Sequence, residues 1–208
     1  MTSTFYKLFE FLVIFIIIPI SFSISFSIWI KLIIGVIGFL YIIYVLLKIE
    51  KTKFKMNSNL NWSLFCKETA IKLTIIALLT TIFVWYTDKE ALFSVPLHKS
   101  LLWLIILFVY SFFSVYPQEL IYRTFFFQRY QGIFKNESLL IFVNAIVFCL
   151  GHIFFRNTLV LILTFLGGLL FAFSFYKTKS TILVTVEHAI YGCWLFTVGM
   201  GDMLGFPS

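Results

Sequence analysis

Three short clusters of polar and ionisable residues interrupt stretches of sequence that are otherwise apolar. They are residues 117–123 (Pro-Gln-Glu-Leu-Ile-Tyr-Arg), 148–152 (Phe-Cys-Leu-Gly-His) and 187–192 (Glu-His-Ala-Ile-Tyr-Gly). An ionisable side chain in a lipid-buried helix costs about 2.5–3.5 kcal/mol on insertion scales, so such residues face the protein interior and commonly mark function. These clusters are therefore the candidates for a functional site.

The residue types in the three clusters favour hydrolysis. A carboxylate withdrawn from water, such as that of Glu119, can act as a general base on a water molecule. One of the two imidazoles, His152 or His188, can orient that water, and the other can donate a hydrogen bond to a developing oxyanion. Glu119 and Arg123 are four residues apart and can pair on one helix face. The combination predicts cleavage of a peptide bond inside the membrane, with Glu119, His152 and His188 as catalytic residues.

The elements that carry these residues must be membrane helices. Hydrophobic residues make up 61% of the chain and charged residues only 12%, whereas a soluble domain carries about a quarter charged residues. A chain of 208 residues cannot bury that much apolar surface internally, so lipid must cover it. The net charge of +7 comes largely from lysines between apolar runs, which is typical of membrane proteins and does not indicate nucleic-acid binding.

About 20 apolar residues are needed to cross a bilayer as a helix. On that rule the predicted spans lie near residues 8–25, 28–47, 70–87, 100–128, 138–156, 157–176 and 180–199. A Ser-rich bend at 21–27 separates the first two spans, and an amphipathic lead-in at 62–68 precedes the third. The predicted fold class is an all-α membrane protein, a polytopic bundle of about seven transmembrane helices with an intramembrane polar site.

The prediction is a single integral membrane domain over residues 1–208, with three N-terminal spans in 1–99 and the motif-bearing core spans in 100–199. Counting helical rise from the predicted cytoplasmic ends places Glu119 at ~15 Å depth, His152 at ~21 Å and His188 at ~12 Å. Three helices would thus present their side chains at comparable depth, where they could meet in one cavity. Pro117 removes a backbone hydrogen bond just before Glu119 and is expected to open span four there.

Lysine and arginine positions orient the chain in the cell membrane. The side predicted to be cytoplasmic carries Lys7, Lys48, Lys51, Lys53, Lys55, Lys67, Lys72, Arg129, Lys135, Lys177 and Lys179. The opposite side carries fewer basic residues, such as Lys89, Lys99 and Arg156. This bias predicts a multi-pass protein with a cytoplasmic N-terminus and an external C-terminus.

The three clusters resemble the motifs of the CPBP family, the membrane endopeptidases that include CAAX prenyl proteases and abortive-infection proteins. That family's pattern is Glu-Glu-x-x-x-Arg, then Phe-x-x-x-His, then His-x-x-x-Asn, on three core helices. The counterparts in this chain are Gln118-Glu119-x-x-x-Arg123, Phe148-x-x-x-His152 and His188-x-x-x-Gly192. Their order, spacing and placement on separate spans agree over residues 100–199. The resemblance implies a hydrolase acting on a membrane-embedded or prenylated peptide in contact with membrane lipid.

Two positions depart from the family pattern. The first glutamate, which the family uses to activate water, is here Gln118, which cannot take up a proton. The asparagine that binds the oxyanion is here Gly192, which has no side chain to donate a hydrogen bond. The resemblance implies that His152 orients the water, that His188 stabilises the oxyanion, and that Arg123 holds the adjacent carboxylate.

With Gln118 in the first position, Glu119 itself would have to serve as the base, or Glu187, beside His188, would substitute. The candidate catalytic residues are accordingly Glu119, His152 and His188. The supporting residues are Gln118, Arg123, Phe148, Glu187 and Gly192.

Two other functions remain as alternatives. A catalytically silent member of the same family would serve as a membrane scaffold or binding protein. A proton-coupled transporter would use Glu119 and the two histidines as a relay, although the internal inverted repeats that favour transport are not evident in the sequence.

The resemblance implies no required cofactor. A zinc site is one further alternative. Cys149 and His152 share a helix face, but His188 and Cys193, five residues apart, diverge by ~140°. A tetrahedral site from these four residues would require one helix to unwind. A site formed by Glu119, His152 and His188 is sterically easier.

Overall fold

The structure is a computed structural model that describes residues 3–52 and 61–205. These residues are helical and include no β-strand, and seven of their helices are long and apolar enough to cross a membrane. The predicted all-α membrane fold is therefore confirmed. The seven spans are α1 (Thr4–Phe22), α2 (Ile28–Ile49), α3 (Trp62–Thr87), α4 (Ser100–Tyr130), the fifth span Glu137–Phe155 with its α-helix α5 (Glu137–Leu150), α6 (Thr158–Thr178) and α7 (Thr181–Val198).

The helix ends differ from the predicted spans at three places. The predicted lead-in at 62–68 forms the first two turns of α3, so the third helix begins at Trp62. Helix α4 continues to Tyr130, slightly beyond the predicted span 100–128, and includes Arg129. The fifth span consists of α5 followed by a short 3-10 turn, Ile153–Phe155. The predicted bend falls at residues 23–27, and Lys53 and Lys55 lie outside the described residues.

Polar side chains cap the first turn of several long helices, among them α3, α5, α6 and α7. Asn61, Asn136, Asn157 and Ser180 each accept a hydrogen bond from a backbone N–H two or three residues further on. Such caps satisfy donors that the first helical turn leaves without a partner. They fix where α3, α5, α6 and α7 begin, and therefore which residues reach the interior.

Helix α4 contains two π-helical stretches, Tyr110–Val115 and Leu120–Phe125, on either side of Tyr116–Glu119. Pro117 lies between them and has no backbone N–H to donate. A π-helical turn widens the helix locally and often occurs at functional sites. The opening expected near Pro117 thus takes the form of widened turns in a helix that remains continuous.

The chain divides into two compact units, and the division falls inside α4 just before Gln118. Unit 1 comprises residues 1–55 and 118–177, and therefore α1, α2, the end of α4, α5 and most of α6. Its interior is aromatic: the buried Phe15 ring packs against four rings of α4, those of Tyr122, Phe125, Phe126 and Tyr130. Such packing fixes the end of α4, which carries the first motif, against α1.

A buried ionic network also holds unit 1 together. The Arg129 Nε lies 2.7 Å from the Glu10 Oε2, and the Arg129 Nη1 lies 2.8 Å from the Glu50 Oε1. The hydroxyl groups of Tyr130 and Tyr41 also donate to Glu10. The Arg129 side chain is buried, and it connects α4 to α1 and to the end of α2.

Unit 2 comprises residues 56–117 and 178–208, and therefore α3, the first part of α4 and α7. Its core includes Tyr110 and Phe196, whose rings meet edge to face with centroids 4.8 Å apart. The Trp194 indole donates to the Thr80 hydroxyl at 2.9 Å and so links α7 to α3. In a membrane, the apolar surface of a helix packs about as well against lipid as against another helix. Polar contacts such as this one therefore help to hold the helices together.

Candidate active site

Unit 1 positions the first motif through Arg123. Glu119 and Arg123 are completely buried, and the Glu119 Oε2 lies 3.4 Å from the Arg123 Nε, so the expected pair is present. The Arg123 Nη1 donates to the Asn144 Oδ1 on α5 at 2.7 Å. The guanidinium also lies over the Phe148 ring, 4.6 Å from its centroid. Arg123 is therefore held by α5 as well as by Glu119.

Phe148 connects the first motif to the second. The imidazole of His152 packs edge-on against the same ring, with centroids 4.8 Å apart, and the His152 Nδ1 lies 2.8 Å from the Phe148 carbonyl oxygen. Because a carbonyl only accepts, this contact assigns the proton of the neutral ring to Nδ1. The lone pair is then on Nε2, which is the arrangement needed to accept a hydrogen bond from water.

His152 lies within the fifth span, as predicted, but in a turn and not in a regular α-helix. The α-helix ends at Leu150, and His152 lies in the turn that precedes Ile153–Phe155, with its side chain half-buried. Gly151 follows the last helical residue, and a Cβ there would overlap the hydroxyl of Tyr122 on α4. The α-helix therefore ends beside the Tyr122 side chain of α4, and the depth calculated for an unbroken helix does not apply to His152.

Unit 1 thus brings Glu119, Arg123, Phe148 and His152 into one chain of contacts. Gln118, which precedes Glu119, is half-buried. Asn144 also belongs to this group, since its Oδ1 receives Arg123 and its Nδ2 donates to the Tyr122 carbonyl oxygen. The sequence did carry a signal for it: Asn144 is a polar residue in an apolar span, four positions before Phe148 and so on the same helix face.

Unit 2 contains the third motif. His188 is buried on α7, and its Nε2 lies 3.2 Å from the hydroxyl oxygen of Tyr110 on α4. The two rings are nearly perpendicular. Gly192 lies one turn further along α7, and a Cβ atom there would overlap the same hydroxyl. Tyr110 had no motif to mark it in the sequence, and a tyrosine in an apolar span is ordinary.

Glu187 has partners of its own on α3 and α7. Its Oε1 accepts from the Lys72 Nζ at 2.7 Å and from the Tyr191 hydroxyl at 2.9 Å. Adjacent helical residues point about 100° apart, and Glu187 accordingly faces α3 while His188 contacts Tyr110. The carboxylate that lacked an explanation in the sequence is thus part of an ion pair between helices.

The zinc alternative gains no support from the described part of the chain. Among residues 3–52 and 61–205, no three His, Cys, Asp or Glu side chains lie close enough together to hold a metal ion. The Cys149 thiol instead donates to the Leu161 carbonyl oxygen at 3.2 Å, and the Cys193 sulfur lies 3.5 Å from the Ser111 hydroxyl. Both sulfurs therefore have partners other than a metal.

Comparison with known proteins matches the segment that carries all three motifs. Residues 99–194 match the family described as type II CAAX prenyl endopeptidase, Rce1-like. No curated protein and no solved structure matches the chain. The resemblance predicted from the motifs is confirmed: residues 99–194 of this multi-pass membrane protein are similar to the Rce1-like family of type II CAAX prenyl endopeptidases.

Proposed function

We propose that the protein is an intramembrane endopeptidase that hydrolyses a peptide bond of a membrane-embedded or prenylated peptide, with a water molecule activated by Glu119. The observation that carries this proposal is the setting of Glu119. Its carboxylate is completely buried, lies beside Arg123, and stands between two widened turns of α4 in the segment that matches the family. A buried carboxylate at a widened helical turn is suited to hold and deprotonate water.

Arg123 holds the Glu119 carboxylate in the interior of unit 1, with the Arg123 Nε 3.4 Å from the Glu119 Oε2. Asn144 takes the Nη1 donor of Arg123, and the Phe148 ring covers the guanidinium plane. Arg123 is therefore held beside Glu119, where its positive charge stabilises the carboxylate.

In the proposed reaction, the water oxygen attacks the carbonyl carbon of the scissile peptide bond while Glu119 takes up a proton. The His152 Nε2 orients the water, since Nδ1 is committed to the Phe148 carbonyl oxygen. His188 donates a hydrogen bond to the oxyanion. The tetrahedral intermediate collapses when the C–N bond breaks, and the proton held by Glu119 passes to the leaving amine.

The test uses the full chain in phospholipid vesicles with a farnesylated peptide that ends in a CAAX sequence. Release of the C-terminal tripeptide is followed by mass spectrometry. We expect cleavage by the wild type and a loss of about 10²-fold in kcat/KM for His152→Ala and for His188→Ala, because each removes one positioned hydrogen-bonding group.

His98→Ala is the matched control for these variants. His98 is exposed in the short helix Ser94–His98, where its Nδ1 contacts the Ser94 carbonyl oxygen. We expect its cleavage rate to equal that of the wild type. If His98→Ala lowers turnover as much as the other two variants do, the assigned roles of His152 and His188 are wrong.

A catalytically silent membrane protein is the second candidate, and Gln118 is the observation that favours it. Such a protein would bind the farnesylated peptide without releasing a product. Gln118→Glu restores the family's first carboxylate beside Glu119 and would then produce turnover that the wild type lacks. Turnover by the wild type, lost in the two histidine variants, rejects this candidate.

A further inference from the structure

Tyr110 and Gly192 form a steric pair around His188. The Tyr110 ring is fixed in the core of unit 2 by Phe196, and it packs among Ile106 and Val115. Its hydroxyl oxygen lies 3.2 Å from the His188 Nε2. A Cβ at position 192 would overlap this hydroxyl oxygen and the ring carbons next to it. The absence of a side chain at Gly192 is thus what allows the phenol to reach His188.

Position 192 is one helical turn from His188 and therefore on the same face of α7. A side chain there would extend into the space that the Tyr110 hydroxyl fills. The hydroxyl comes from α4 and not from α7, but it places a hydrogen-bonding oxygen beside the same imidazole. Gly192 therefore leaves a space on α7, and Tyr110 of α4 supplies the polar group that fills it.

We propose that Tyr110 is a positioning residue that fixes the ring orientation and the tautomer of His188 for the proposed hydrolysis, on which this inference rests. A phenol O–H is a stronger donor than a neutral imidazole N–H, so the Tyr110 hydroxyl donates and the His188 Nε2 accepts. The proton of the neutral imidazole then resides on Nδ1. His188 is thereby kept as a neutral N–H donor, which is the form that stabilises an oxyanion.

Removal of the hydroxyl alone tests the proposal. In Tyr110→Phe the ring still packs against Phe196, but the hydrogen bond to His188 is lost. We expect kcat for the farnesylated peptide to fall by about fivefold, since a hydrogen bond of this kind contributes on the order of 1 kcal/mol. KM should stay unchanged, because the effect is on the transition state. Tyr86→Phe removes an exposed hydroxyl from α3 and is the control.

A second measurement is independent of turnover. In the full chain labelled with ¹⁵N-histidine, the ring nitrogen resonances of His188 report its tautomer and its hydrogen bond, and they are assigned by their loss in His188→Gln. We expect Tyr110→Phe to shift the His188 resonances and to leave those of His98 and His152 in place. Unchanged His188 resonances would overturn the proposal even if the wild type cleaves the peptide. A shift seen in a protein without turnover would retain the role of Tyr110 and reject the proposed function.

Variants at position 192 test whether Tyr110 occupies the space that a side chain there would fill. Gly192→Asn should displace the Tyr110 ring, weaken its hydrogen bond to His188 and lower turnover. In Tyr110→Ala with Gly192→Asn, the space is vacated and the new amide can reach His188, so we expect more turnover than in either single variant. A double variant no more active than Tyr110→Ala would contradict the claim that Tyr110 and a side chain at position 192 occupy the same space. Circular dichroism confirms that each variant is folded, and Tyr110→Phe remains the test if the bulkier changes are not tolerated.

Discussion

Glu119→Gln is expected to lower kcat for the farnesylated peptide by about 10²–10⁴-fold, the range typical of a lost general base. Glutamine has nearly the same shape as glutamate but cannot take a proton from water. Arg123 keeps its contacts with Asn144 and Phe148 in this variant, so the surrounding structure should persist. The initial rate of tripeptide release, measured at saturating peptide, checks the prediction.

Glu187→Gln is the informative comparison for Glu119→Gln, because both carboxylates are completely buried. Glutamine at position 187 can still accept from Lys72 and Tyr191, and the variant should therefore cleave the peptide at close to the wild-type rate. Loss of turnover in Glu187→Gln alone would identify Glu187 as the substitute base. If both variants cleave normally, neither carboxylate activates water and the assigned mechanism must be abandoned.

The spans and the motif positions could be predicted because both depend on local sequence. Hydropathy over some 20 residues identifies a membrane helix without reference to any other part of the chain. The Glu119–Arg123 pair follows from helical spacing alone. The end of α5 at Leu150 could not be predicted in this way, since it coincides with the close approach of Tyr122 to Gly151.

The sequence did not reveal the ion pairs between residues that are far apart in the chain. Lys72 pairs with Glu187, 115 residues away, and Arg129 pairs with Glu10, 119 residues away. Counting basic residues to orient the chain treats such cations as solvated loop charges. The orientation with a cytoplasmic N-terminus stays a prediction, and it depends on fewer loop cations than the sequence suggested.

The candidate site was predicted in composition but not in its hydrogen bonds. Gly192 was interpreted as a missing donor, and the structure shows Tyr110 in contact with the same histidine. A glycine in the sequence does not reveal which neighbouring helix fills the space it leaves. The single-domain organisation stays a prediction, as does the meeting of His188 with Glu119 and His152 in one cavity.

Arg129→Met is expected to destabilise the protein by about 3–5 kcal/mol, the cost of removing one partner from a buried ion pair. Methionine retains much of the apolar stem but leaves Glu10 and Glu50 without their shared cation. The Glu10 side chain is only 3% exposed, so water cannot replace the lost partner. The free energy of unfolding, obtained by titrating the protein in mild detergent with SDS and following circular dichroism, measures the loss. Lys135→Met, which removes an exposed cation, should change it by no more than about 0.5 kcal/mol.

A double variant separates the ionic explanation from simple loss of packing. If the instability of Arg129→Met comes from an uncompensated Glu10 carboxylate, then Glu10→Gln should recover part of it, because a buried neutral amide costs less than a buried charge. Arg129→Met with Glu10→Gln should therefore be more stable than Arg129→Met alone, with a coupling energy of about 0.5–3 kcal/mol. Lost packing predicts the opposite order, since a second substitution in the same cluster would only add to the damage. Additive destabilisation would mean that Arg129 stabilises unit 1 through the contacts of its stem, and that its charge contributes little.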